Sequence, residues 1–563
     1  MYKYYAQHMH MHSCFQPGAS MEGHMWHAHN LNMKYIWFTD HDIRMGRKQY
    51  EITEFDFEGP ELMDAEEEGR SHGFVITEEK SCGTVRLTDE AAFRGKQSMC
   101  LTAYAKEDQW NGIDTVFQST GKRHSASLMA SIKLEIAFKA ECANWNNARI
   151  FFDIKLSQRP PEHTPAHIIY VAGNAEGLTE ASHTLVIPLE PGTEWHKCQF
   201  NLTETVLSEK AEKKGLGGLD NAFDTIRIGV ESRSGEKIAA WVDDFSIHIR
   251  KGAQDTLEMQ KKIAREIGKK YSVIPFIGME ISEAGPHKNC FSSQVPVIPY
   301  EALNYQVSHE QGCDWVKQHG GIFSLNHPFE QFKRADIHKL NLEEETNKLA
   351  QEYMETGCWG ASLMEVGFPE GRYFPLQYHL KLWDMLAMSG IFLTGYGSSD
   401  NHSNQSGWYE GNNFATWLGV EVQKAEPEEA DFVQAMKGGR AYTGNPVFVD
   451  DSVVLETERG VTMGSVIVTD APTKIQIRFR CNSAKHRWIQ RWIVNGNIAK
   501  ESKIKTDVFE DYYCIEPIMP IELVRVEVYD ENGICIMLTN PIYFYRKDLK
   551  TLNIPMERQV KDR

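Results

Sequence analysis

Five apolar runs along this chain end in the same way, in clusters of histidine and acidic side chains, and this limits the possible fold more than any other feature. Tyr4 to His12 alternates and ends in His10-Met11-His12-Ser13. Lys34 to Thr39 runs into Asp40-His41-Asp42, and Val273 to Ile277 into Gly278-Met279-Glu280. Ile322 to Leu325 precedes Asn326-His327-Pro328, and Ile391 to Thr394 precedes Ser399-Asp400-Asn401-His402. Polar, metal-competent residues directly after a buried strand mark the face where α/β barrels and sheets carry their sites. Helical signals lie between the runs: Ser20 is placed to cap a helix through Ala28, and Leu257, Ile263, Ala264 and Ile267 share one helical face.

The α/β pattern is interrupted. Between about 46 and 254 the texture changes to short alternating segments, such as Ala148 to Leu156, Thr225 to Glu231 and Ala239 to Arg250, separated by Gly, Pro, Asn and Asp. That is the pattern of a β-sandwich. A similar region starts at about 447, where Ile475 to Arg480 alternates, Asn495-Gly496 is a hairpin signal and Glu522 to Tyr529 is another strand. A chain of 563 residues exceeds the roughly 250–300 at which single cores stop growing. The expected organisation is therefore 1–45 and 255–446 as two parts of one α/β domain, 46–254 as an inserted β-sandwich and 447–563 as a C-terminal β-sandwich. The hydrophilic stretch Ser208 to Gly218 reads as a solvated loop.

The formal charge of -18 opposes non-specific binding to nucleic acid or to an anionic membrane. No stretch approaches the roughly 18 apolar residues of a membrane span, and the N-terminus lacks a signal-peptide pattern. The eleven cysteines are scattered without a CxxC pair, so a reducing, cytoplasmic setting is expected.

Several neutral imidazoles, a carboxylate able to bridge two ions and a position left open to water make a hydrolytic metal centre, with zinc, manganese or iron favoured over calcium. His10 and His12, two apart on a strand, point to one face. Asp400 and His402 repeat that spacing. Each motif alone is weak: an HxH pair on a strand is more often structural, 8/10 is as well spaced as 10/12, and Asn326-His327-Pro328 also reads as a turn. Their joint occurrence carries the weight.

Taken as a set, these motifs resemble those of the PHP (polymerase and histidinol phosphatase) superfamily: HxH followed by Ser, then TDH at 39–41, Gly278-Met279-Glu280 with His287, Asn326-His327-Pro328 and SDxH at 399–402. With Gly438-Gly439-Arg440-Ala441-Tyr442 leading into a small β region, the arrangement is most similar to the CehA/McbA-like branch. The resemblance implies a distorted (β/α)7 barrel holding two or three divalent ions. One ion would take His10, His12, Glu280 and Asp400, and a second Glu280, His287 and His327, making Glu280 the bridge. A third would take His41 and His402. Its usual Asp is replaced by Pro17, for which Glu22 or His24 are substitutes. Asp40 is a ligand or, preferably, a partner orienting a histidine, and Arg44 a candidate for an anionic substrate group. Glu365 either faces the pocket or makes a hydrogen bond at the core edge. His24, His27 and His29 are read as a partly exposed helix face.

The inserted region resembles a galactose-binding-like jelly roll at Gly95-Lys96-Gln97-Ser98 and Trp241-Val242-Asp243-Asp244-Phe245. Trp110, Trp145 and Tyr170 can stack on sugars if exposed, although aromatics usually pack in cores. The resemblance implies a metal-dependent hydrolase, a phosphoesterase by default, in which a water shared by two ions attacks a small-molecule or carbohydrate-linked ester. Glu280, Asp400 and Asp40 are its catalytic carboxylates. The alternatives are a carboxyl or carbamate ester hydrolase of the CehA type and a non-catalytic carbohydrate-binding protein. Oligomeric state has no signature in the sequence.

Overall fold

The computed structural model describes residues 2–15, 18–46, 50–58, 65–67, 70–74, 77–80, 82–119, 126–178, 181–282, 286–304, 306–329, 339–367, 375–403, 415–421, 426–480, 487–547 and 554–560. The fold is mixed α/β with many β-sheets. The strands that matter for the site are β1 (Tyr2–Met11), β2 (Tyr35–Phe38), β3 (Ile274–Ile277), β4 (Ser324–Leu325), β5 (Leu363–Gly367), β6 (Thr394–Gly397) and β7 (Ala415–Glu421). Helix α1 (Met21–Asn30) follows β1, and α2 (Ala253–Tyr271) precedes β3.

Strands β3, β2 and β1 are parallel neighbours, as are β4, β5 and β6. The strand ends join the two groups. His12 N donates to the Asn401 carbonyl at 3.0 Å, Thr39 N to Met11 O at 2.9 Å and Glu280 N to Asp40 O at 2.9 Å. Asn326 N donates to His287 O at 3.0 Å, and Ser398 N to Gly367 O at 2.9 Å. Segments far apart in sequence are thereby tied, backbone to backbone, into a ring of polar strand ends.

The last of these strands is displaced from the expected position. The apolar run 391–394 is not itself the strand; β6 begins at Thr394, because Phe392 instead packs into a satellite core with Leu523 and Tyr543.

Residues Tyr50–Phe55 to Lys237–Arg250 supply two seven-stranded sheets packed face to face. Alternate residues such as Leu134, Ile136, Phe138, Ile150, Phe152, Ile226 and Ile228 fill the space between them, as period-two patterning requires. The entering and leaving strands pair directly, Tyr50 opposite Arg250. The C-terminal strands continue the α/β sheet: β7 pairs with Ala441–Gly444, which pairs with Cys535–Thr539, and the ladder runs on to Asn497–Lys503. Asn495 and Gly496, with φ of 50° and 79°, form the two-residue hairpin turn. Among the described residues no helix is long and apolar enough to cross a membrane.

The sandwich grips the segment that follows the HxH strand. Ser20 caps α1 by accepting from Gly23 N, and the buried Asp220 of the sandwich accepts Met21 N at 2.8 Å and Glu22 N at 2.9 Å. Three of the free N–H groups at the helix start are thus satisfied, two of them from outside the α/β domain. Arg159, 1% exposed, pairs with Asp220 in turn, and Ser20 Oγ donates to Gln158 O. Of the three histidines of α1, His29 is exposed as a helix face would be, but His24 and His27 are buried, and His27 stacks on His163 of the sandwich at 4.6 Å. Asp220→Ala removes two helix-start acceptors and strands a buried guanidinium, so it should cost about 3 kcal/mol in urea unfolding. A loss below about 0.5 kcal/mol, the level of an ordinary surface change, would show that this junction does not hold α1.

Candidate metal centre

The ring of strand ends gathers all eight histidine, aspartate and glutamate positions read as metal ligands. His10 and His12 Nε2 lie 3.2 Å apart. Asp400 Oδ1 is 3.3 Å from the first and 3.0 Å from the second. The two oxygens of Glu280 divide their neighbours: Oε1 faces His10 Nε2 (3.4 Å), His287 Nδ1 (3.2 Å) and His327 Nε2 (3.3 Å), while Oε2 faces His41 Nδ1 (2.6 Å) and His12 Nε2 (3.7 Å). His402 stacks on His12 with ring centres 4.0 Å apart. Three overlapping groups have their ligand atoms within 4.8 Å: His10, His12 and Asp400; His41, Glu280 and His287; and His12, His41 and His402. His41 therefore stands beside Glu280 as well as beside His402, closer to the centre than the sequence implied.

Burial is graded. The side chains of His10, His12 and Glu280 have no exposed surface, whereas His287 is 24% and His402 40% exposed, so the site has a dry floor and an open rim.

Charge tests the fit of a metal. Glu280, Glu365 and Asp400 are buried carboxylates, and among the described residues their ion pairs are with histidines alone, with no Lys or Arg. Buried anions require compensating charge. Burial alone would raise Glu280, but His41, His287 and His10 more than offset it and hold the carboxyl well below its usual range. Burial depresses His12, as do His402 and His41 beside it, and Asp400 does not restore it, so its lone pair stays available. Imidazole and carboxylate donors converging around surplus negative charge suit a borderline divalent ion such as zinc, manganese or iron.

Glu365 occupies a more prominent place than the sequence indicated. Its Oε1 meets His10 Nδ1 at 2.6 Å and accepts from Ser398 Oγ, and its Oε2 accepts His327 N at 2.6 Å. Since His10 Nδ1–H donates to this carboxylate, Nε2 is turned toward Glu280 and Asp400, the support that ligating histidines commonly receive. Asn326 Nδ2 donates to Glu280 Oε1 at 3.0 Å. The available signal for Glu365 was a carboxylate inside the wholly buried Leu363–Gly367 strand.

Asp40 does not belong to the cluster as a catalytic carboxylate. It accepts Ser13 N, Ser13 Oγ and Gln260 Nε2, and burial pushes it up to about 6 despite those bonds. Its role is to fix the loop after His12. Arg44 Nη1 donates to Phe15 O. Pro17 lies outside the described residues, and neither suggested substitute joins the cluster: Glu22 pairs with Lys270 and Arg159, and His24 Nε2 meets the His12 carbonyl at 3.0 Å. His8 meets Ser399 Oγ, which leaves 10/12 as the pair in the cluster. Of the aromatics considered for sugar stacking, Tyr170 is buried against Phe200, and Trp110 lies between the guanidinium groups of Arg149 and Arg233.

No family model and no curated protein matches this chain. Among solved structures, part of it is similar to the N-terminal CBM22 tandem domain from Paenibacillus barcinonensis, at 17% identity over 36% of this chain and 46% of that one, with TM-score 0.20. It is also similar to the C-terminal family 22 carbohydrate binding module of Clostridium thermocellum (14%, 36% and 94%, TM-score 0.19). A third likeness is to a family 12 xyloglucanase from Bacillus licheniformis (8%, 36% and 100%, TM-score 0.20). The chain spans less than half of the first of these. Likeness at this level carries no argument about function, and the sandwich is read from its own strand pairing.

Glu365→Gln should lower zinc or manganese affinity by about 10–100-fold, as loss of a carboxylate that orients a ligating histidine does elsewhere. Competition with a chromophoric chelator reads this directly. Unchanged affinity would remove Glu365 from the metal centre.

Proposed function

We propose that this chain is a metal-dependent hydrolase of ester bonds, phosphoesters first, built on a divided (β/α)7 barrel of the PHP type. The observation that carries the reading is the buried Glu280 carboxylate, with its two oxygens turned to different histidines inside three overlapping ligand groups. His10, His12 and Asp400 would hold one ion and Glu280, His287 and His327 another, with His41 and His402 at a third position. Divalent ions bound there would supply Lewis acidity and lower the pKa of water toward about 7.

The protein's own contribution is positional. Glu280 sets the spacing between the ligand groups, Glu365 fixes the His10 ring, and the Ser13–Asp40–Gln260 bonds hold the loop beyond His12. The buried floor keeps water away from the anionic ligands and strengthens their electrostatics, while the rim at His287 and His402 is the side from which a substrate can enter. Carboxyl and carbamate esters use the same geometry, so the chemistry of the leaving group is left to experiment.

The test is to load the purified protein with zinc or manganese and assay phosphate monoesters, cyclic phosphodiesters and aryl esters. At least two ions per chain and turnover of one ester class are expected. Glu280→Gln should reduce that turnover by at least about 100-fold, the scale on which a preorganised electrostatic group acts. His402→Ala, at the exposed rim, should leave measurable activity. Near-wild-type turnover in metal-loaded Glu280→Gln would refute the bridging role. A metal-loaded protein inert on every ester class would favour the non-catalytic, carbohydrate-binding alternative.

A further inference from the structure

His287 reaches the histidine cluster from a short element. It precedes the three-residue strand Lys288–Cys290, whose antiparallel partner Met279–Ile281 is equally short, and it stands at the open rim. A two-stranded ladder of this length is marginal by itself, so the placement of the ring depends on contacts made by its neighbours.

The next residue supplies them. Lys288 is 1% exposed, and lysine is almost never buried so completely without partners that fix it. Its Nζ donates to the Pro286 carbonyl at 2.9 Å and to His309 Nδ1 at 2.8 Å. One ammonium thereby ties the residue before His287 to the start of helix α3 (His309–Gln318). The helix comes close because residue 312 is glycine: a Cβ there would lie 3.2 Å from Ile281 Cγ2 and 3.7 Å from Lys288 Cε. His309 is held in turn by Trp359, whose ring meets it edge-on with centres 4.1 Å apart.

Trp359 stands in strained backbone. Residues 357–360 all have positive φ (58°, 51°, 50° and 81°), and two of them, Cys358 and Trp359, are not glycine. Residues with a Cβ avoid a left-handed turn, and such strain persists only where the surroundings impose it. Here the Cys358 side chain is buried, and Lys317 Nζ of α3 donates to the Trp359 carbonyl at 3.3 Å. We infer that Trp359, His309 and Lys288 are positioning residues for His287: the left-handed turn fixes the indole, the indole the imidazole, the imidazole the ammonium, and the ammonium the segment that carries the ligand. The consequence, tighter binding of the ion that takes His287, rests on the metal-centre reading; the contacts themselves do not.

The test uses the full chain without and with metal, and variants at Trp359 and His309, which are both partly exposed and so leave the fold intact. In the metal-free protein, hydrogen exchange of the amides of 287–290 should accelerate by about tenfold in Trp359→Leu and in His309→Ala. Trp359→Phe, which keeps an aromatic edge against His309, should return it to the wild-type rate. After loading with cobalt, chelator competition should show one binding step weakened by about 10–100-fold in Trp359→Leu and His309→Ala, the range for residues that orient a ligand. The visible absorption of that step should shift, the other steps should keep wild-type affinity, and Trp359→Phe should recover the lost one. Equal weakening of every step would mark a general loss of stability and overturns the inference, as does unchanged cobalt affinity in both variants. A wild-type chain that binds no cobalt refutes the metal centre alone; exchange at 287–290 then decides the inference, which fails if neither variant accelerates it.

Discussion

One buried carboxylate organises this protein. Glu280 has no exposed surface and faces five imidazoles, so its position is tolerable only while those rings, or a cation among them, stay within reach. His10 and His12 arrive together from the end of β1 and His41, His287 and His327 from three other segments, and these segments are tied to one another by backbone hydrogen bonds. The polar cluster and the strand pairing therefore stabilise each other. Displacing one strand end leaves a buried charge uncompensated, and neutralising the charge removes the reason for the ends to converge.

The layers around the cluster serve this arrangement. Glu365 and Asn326 act on His10 and Glu280, while Ser13, Asp40 and Gln260 secure the loop beyond His12. The sandwich then continues the support outward, through Asp220 at the start of α1 and Arg159 behind it. The insertion is thus attached to the site along a chain of contacts as well as through its two covalent connections.

The strand ends were legible in the sequence because each pairs an apolar run with polar residues at its close, and the start of α1 because Ser20 sits one residue before it. Asn495-Gly496 was equally plain, since few dipeptides adopt two positive φ angles. Other features depend on tertiary contacts that local patterns do not encode. The offset of β6 follows from Phe392 packing elsewhere, and the role of Glu365 from a partner 355 residues away. The Ser208 to Gly218 stretch, hydrophilic enough to read as a loop, contains a short helix over Glu209–Lys213 capped by Ser208. Asp220 capping α1 is a contact across 199 residues for which no sequence signal exists. Asp40 is adjacent to His41 in the sequence, but its side chain turns to Ser13 and Gln260.

The pairing of β1 with β7 and with Asn401 sets an order of events during synthesis. Gln7 lies opposite Thr416, and His12 N needs the Asn401 carbonyl. At ribosomal rates of about 5–20 residues per second, the first strand waits roughly 20–80 s for these partners. The sandwich, whose strands all precede residue 251, can bury its apolar faces during that interval. It also offers Asp220 to the helix that follows β1 well before the remaining strands emerge. The insertion can thus serve the nascent chain as a temporary partner, holding His10 and His12 near their final place until the C-terminal half arrives.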